Sequence, residues 1–183
     1  MRIGKRIAAV LLLLVLCGNG QERVVEPRYD LYPATRGDGL LRRAMLDGHN
    51  VARRAVGVSP LTWDDRLAAS ARGWADELAR RGRMRHSEQR GRAGQGENLW
   101  TGTRGAYRYR EMVGHWVDER RAFVNRPTPR FSRTGRWQDV GHYTQIVWRG
   151  TTAVGCAIAA NARDEFLVCR YAPVGNVVGQ RAF

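Results

Sequence analysis

Hydrophobic periodicity changes character once along this chain, and that change limits the accessible folds more than any other feature. Leu41, Met45, His49, Ala52 and Val56 recur at helical spacing, and Gly57 and Pro60 close the segment. A second helix is predicted to start at Asp64, a good N-cap, to run through Leu67, Ala71, Trp74, Ala75 and Leu78, and to stop at Gly82. A third fits residues 106–124, with Tyr109, Met112, Val113, Trp116 and Phe123 on or near one face, although Gly114 weakens it. After Pro127 and Pro129 the pattern shortens. Residues 143–148 (YTQIVW) mix β-branched and aromatic side chains and read as a strand, and 154–160 and 166–171 read as a hairpin turning through 161–164. That turn places Cys156 opposite Cys169, so a cross-strand disulfide is expected; without C-x-x-C spacing, a redox pair is not. Helices first and strands later make an α+β domain, with helices covering an antiparallel sheet. The Gly-rich stretch 83–103 is predicted to be a long surface loop, and such loops in a compact domain usually carry function.

The N-terminus stands apart from this pattern. Arg2, Lys5 and Arg6 precede an apolar run over residues 7–17, shorter than the roughly 20 residues that span a bilayer and suited to a signal-peptide core. Gly18 and Gly20 supply small residues before a cut after position 20. The expected organisation is a signal peptide over 1–20, a linker or loose arm over 21–38, and one domain over 39–183. The chain is then secreted, to the periplasm or the exterior. Attachment as a lipoprotein through Cys17 is the rival reading, and Leu16 disfavours it because a small residue normally precedes such a cysteine. Losing Cys17 leaves an even pair of cysteines in a compartment that permits disulfides.

Charge adds a constraint on partners. The 183 residues carry 31 Lys+Arg against 17 Asp+Glu, a net +14, and Lys5 is the sole lysine. Residues 80–136 alone hold 15 arginines against five acids. Such an excess favours an anionic envelope polymer or membrane surface on encounter, without predicting a specific nucleic acid. A GC-rich coding sequence would produce the same skew.

The four histidines are His49, His86, His115 and His142, and no two share a metal-binding helical spacing. No nucleophile elbow, P-loop or Rossmann glycine pattern is present. His86 and Glu97 fall on the Gly-rich stretch, His142 lies at a loop-to-element junction, and Glu119 follows Trp116 by one helical turn. His49, with Asn50 and Arg53, reads as a structural tie from its helix to a neighbouring loop, and His115 is expected to point elsewhere. Ser87 beside His86 is not a nucleophile–base pair, since adjacent side chains rarely reach each other and no oxyanion hole is identifiable.

Read in order, the chain carries HNxxR (His49, Asn50, Arg53), Leu61-Thr-Trp63, His86-Ser87, GENL (96–99), GHYTQIVW (141–148) and VCRYAPVGNV (168–177). Over roughly residues 40–179 this series resembles the CAP superfamily of cysteine-rich secretory, antigen 5 and pathogenesis-related 1 proteins. The resemblance implies an α-β-α sandwich, with a central antiparallel sheet between helical layers. It also implies a cleft lined by His86, Glu97, Glu119 and His142, with Asp118 as the alternative to Glu119. Such a set could hold Zn²⁺ or another divalent cation in an open site. The resemblance implies binding of a lipid or sterol-like ligand and no shared catalytic reaction; the alternative reading of the same four residues is a metal-assisted hydrolase or peptidase, with a carboxylate, Glu97 or Glu119, as general base. Arg170 stands where the family often has Asn, which is expected to alter local charge but not the hairpin.

Overall fold

The computed structural model describes residues 33–92 and 94–183. The segment expected to be a signal peptide, its expected cleavage site and Cys17 lie outside these described residues. The elements in order are α1 (Asp38–Arg54), β1 (Thr62–Trp63), α2 (Asp65–Arg81), β2 (Gly96–Thr103), α3 (Tyr109–Asp118), α4 (Gly141–Ile146), β3 (Ala153–Ala160) and β4 (Asp164–Ala172). Among the described residues no helix is long and apolar enough to cross a membrane.

The strands lie in the order β1-β3-β4-β2. The pairs β3–β4 and β2–β4 are antiparallel, whereas the two residues of β1 run parallel to Ala153 and Val154. The sheet is therefore mixed at one edge rather than wholly antiparallel. Cys156 and Cys169 are direct cross-strand partners and are joined by a disulfide, as the hairpin reading requires.

Alternation of side chains along the strands gives the sheet two apolar faces. Leu99, Ala157, Phe166 and Val168 meet Ala71, Ala75 and Leu78 of α2. On the other face Trp100, Cys156, Leu167 and Tyr171 meet Leu41 and Met45 of α1 and Met112 and Trp116 of α3. This is an α-β-α sandwich. The α2 layer sits so close that a Cβ at Gly155 would lie 2.2 Å from Ala68 N and 2.4 Å from Asp64 O. Asp64 caps α2 as its sequence position suggests, accepting from Arg66 N at 2.7 Å and Leu67 N at 3.0 Å, and Gly82 ends the helix in the left-handed region.

Three expectations change. The stretch 83–103 is not all loop, because Gly96–Thr103 forms β2. Its first seven residues are buried, so no polar–apolar alternation marks it, and its glycines read as punctuation. Residues 143–148 do not form a strand; 141–146 are the helix α4. Residues 143–148 are buried throughout, which erases the helical stripe and lets packing override a β-like composition. The third helix is shorter than expected, ending at Asp118 with a 3₁₀ turn over Glu119–Arg121. Of the N-terminal arm, residues 33–37 are described, and they are held in place. Ala34 N donates to Gly105 O, and Arg36 pairs with Glu165 and donates to Tyr107 O.

The HNxxR segment is structural, though its tie differs from expectation. The Nδ1–H of buried His49 donates to Met45 O at 2.7 Å, so Nε2 accepts from the Tyr171 hydroxyl at 2.8 Å. His49 thus binds α1 to strand β4 rather than to a loop, while Asn50 holds the loop through both Leu61 N and Leu61 O. Burial, with a smaller push from the Arg53 charge and against the pull of the Met45 carbonyl, lowers the His49 pKa from 6.5 to about 4. Between those values the unfolded chain binds the extra proton, so this contribution to stability is complete above pH 6.5 and is lost as pH falls toward 4. The loss should be on the order of 3 kcal/mol. His49→Gln should flatten that acid slope in urea unfolding measured from pH 7 to 4; an unchanged slope would assign it to another group.

Candidate functional site

A cleft of about 940 Å³ opens along β2, with its lining running from Gly96 to Thr101 and on to α3, α4 and the loop after α2. The Gln145 side chain of α4 packs against the start of β2, where a Cβ at Gly96 would sit 2.1 Å from its Oε1 and force that amide to move.

The four cleft residues expected from the sequence all line this space, and they meet as two pairs. His86 stands on the loop after α2, which Trp74 anchors by donating its indole N–H to Arg85 O. His86 Nδ1 lies 2.6 Å from Glu97 Oε1. Glu97 also accepts from Ser87 N at 3.1 Å and Ser87 Oγ at 2.9 Å, and its Oε2 pairs with Arg170 Nη1 at 2.7 Å. Glu97 and Arg170 are cross-strand partners of β2 and β4. Burial opposes charge on Glu97, yet the His86 hydrogen bond, the Arg170 charge and Ser87 outweigh it and hold its carboxyl below the ordinary range.

The second pair approaches from the opposite face of the sheet. Glu119, in the 3₁₀ turn after α3, holds His142 Nδ1 at 2.5 Å through Oε1. Its Oε2 accepts from His142 N at 3.0 Å and Tyr143 N at 2.9 Å, satisfying amides at the start of α4. Asp118 instead pairs with Arg121 and is not the cleft carboxylate. The Trp116 ring stacks on His142, with centroids 5.9 Å apart and planes 20° apart, and Asn98 Nδ2 donates to His142 O.

Two features escaped the sequence. Arg170 does more than shift local charge, since its buried guanidinium grips Glu97 and Ser87. Register would have placed it opposite Glu97 had β2 been recognised as a strand. His115 lines the cleft rather than pointing elsewhere, and its Nδ1 accepts from Trp100 Nε1 at 2.9 Å. Only the three-residue spacing of His115 ahead of the turn at 118–119 hinted at that placement.

Both imidazoles have Nδ1 held by a carboxylate, the arrangement that orients a histidine toward a metal through Nε2. The carboxylates themselves are engaged by these histidines and by other donors. Among the described residues no three His, Cys, Asp or Glu side chains form a group that could hold a metal ion.

Comparison with known proteins agrees with this architecture. Residues 46–171 match the profile of the cysteine-rich secretory protein family, CAP. The pathogenesis-related protein PR-1 type of Sambucus nigra is 40% identical over 139 residues, covering 75% of this chain and 79% of its own. Pathogenesis-related protein PRMS of Zea mays is 32% identical over 186 residues and covers both chains in full. The chain belongs to the CAP family. Among solved structures, NaASP2 with Zn²⁺ superposes with a TM-score of 0.66 at 22% identity, over 86% of this chain and 90% of its own. BmVAL-1 gives 0.64 at 21% identity, over 82% and 84%.

Proposed function

We propose that this is a secreted CAP module whose cleft binds a small ligand together with a weakly held divalent cation. The observation that carries the reading is the pair of imidazoles on the cleft, each fixed by a carboxylate at 2.6 and 2.5 Å. A carboxylate behind a histidine fixes its tautomer and raises its basicity as a ligand. Two such ligands, completed by water, make an open and exchangeable site rather than a closed structural one. When bound, the cation would supply a Lewis acid able to fix an anionic or carbonyl oxygen of the ligand. The cleft volume lies in the range of small-molecule sites, and Leu99, Trp100, Trp116 and Trp137 give it apolar wall for a lipid or sterol-like body. Hydrolysis is the weaker reading, because a general base needs a carboxylate oxygen open to water and those of Glu97 are buried against Arg170, Ser87 and His86.

The similar NaASP2 was solved with Zn²⁺, which makes zinc the ion to test first. Calorimetric titration of the purified protein with Zn²⁺ should give saturable binding that a His86→Ala/His142→Ala variant loses while keeping its thermal transition. No binding to the wild type would leave the two pairs as braces between sheet and helices.

A further inference from the structure

The arginine excess takes little part in the cleft, and the fold redistributes it. Arg80 and Arg81 share the one carboxylate of Glu77 on α2 and lie apart from the basic residues described next, so residues 80–136 do not form one basic face. A different set gathers at one end of the molecule. Residues 122–133 fold back on themselves through Val124 N to Phe131 O and Arg133 N to Ala122 O, both at 2.8 Å. The C-terminal residues pack onto this loop. Thr128 N donates to Gln180 O at 2.8 Å, Gly179 N to Thr128 O at 3.0 Å, and Arg149 N to Ala182 O at 2.7 Å, while the Phe123 and Phe183 rings lie 5.7 Å apart.

This framework brings Arg120, Arg126, Arg130, Arg133, Arg149 and Arg181 to one end, all of them exposed. Arg181 donates to Asn125 O, and the guanidinium groups of the other five have no hydrogen bond or ion pair among the described residues. Residues 120–136 and 173–183 contain no Asp or Glu. The flanking Asp118 and Asp139 are engaged by Arg121 and Arg136. The result is a positive surface that no acidic side chain of these segments offsets, separate in its residues from the His–Glu pairs.

We propose that this end docks a linear, sulfated polyanion of the polysaccharide type. Guanidinium forks match the oxygens of sulfate groups, and several of them on a fixed frame bind successive groups of one chain. A membrane fits less well: Val178 is the one large hydrophobic residue exposed on these segments, too little to anchor in a bilayer. A nucleic acid fits less well too, because Phe131 is buried and Phe123 and Phe183 pack on each other, which leaves Trp137, just beyond these segments and on the cleft wall, as a single exposed ring rather than a platform for successive bases.

The test is calorimetric titration of the purified protein with a heparin octasaccharide over a series of NaCl concentrations. The variant Arg126→Ser/Arg130→Ser/Arg133→Ser is compared with Arg43→Ser/Arg54→Ser/Arg66→Ser on α1 and α2, which loses the same charge elsewhere. The first triple should weaken binding by about tenfold or more, with a log–log salt slope shallower by about one per arginine removed. The second should stay near the wild type. No saturable heparin binding, an equal loss in both triples, or tighter binding to duplex DNA or phosphatidylserine vesicles than to heparin would overturn the proposal. If the first triple fails to fold, single Arg126→Ser and Arg149→Ser variants carry the same test, each shallower in slope by about one.

Discussion

Arg53→Met should destabilise the protein by about 3–5 kcal/mol, the largest effect of any single side chain in the HNxxR segment. Arg53 is 1% exposed and has no carboxylate partner among the described residues. It donates instead to four carbonyls: Ser59 O at 2.6 Å, Ile146 O at 2.8 Å, and Trp148 O and Thr151 O at 2.9 Å. These oxygens belong to the loop before β1, the end of α4 and the approach to β3, so one side chain closes three separate segments. Methionine fills much of the volume but takes the donor from Ser59 O, Ile146 O and Thr151 O in a site closed to water, while Trp148 O keeps Thr151 N at 3.1 Å. Urea unfolding of wild type and variant measures the difference, and a loss below about 1 kcal/mol would mean that water replaces the guanidinium.

The second large effect concerns the pair behind His86. Arg170→Met leaves the Glu97 carboxylate buried without its cation, and Glu97→Leu leaves Arg170 in the same position. Their side chains are 3% and 0% exposed, so each single variant should cost about 3–5 kcal/mol. The double variant should cost far less than the sum, because no charge is then stranded. A double-mutant cycle in urea reads the coupling directly, and additive losses would show that the two residues stabilise the protein independently. Under the proposed zinc site, Glu97→Leu should also weaken zinc binding more than Arg170→Met does, since of the two residues it is Glu97 that bonds the His86 imidazole.

How much of this was legible in the sequence depended on whether a segment keeps one face in water. Helices α1 and α2 do, and Leu41, Met45, Leu67 and Ala71 mark them. The hairpin of β3 and β4 was legible from its turn and its two cysteines. Residues 143–148 and Gly96–Thr103 were misread because neither keeps a regular solvent face, so position along the chain carries no periodic signal there. The cleft residues were visible one by one, but only the family motifs joined them. Even those motifs gave no warning of Arg170, whose role follows from register, or of His115, whose place follows from the side of α3 that Trp100 meets.

The two edges of the sheet differ in a way that bears on how these molecules behave when crowded. At the β2 edge the Trp116 indole N–H already occupies Leu99 O, and the edge is roofed by the cleft walls. At the β3 edge β1 covers only Ala153 and Val154, and beyond them the guanidinium of Arg72, reaching across from α2, is bonded to Ile158 O. Arg72 therefore acts as a guard against strand-to-strand self-association, placing a charge where another copy's backbone would otherwise extend the sheet.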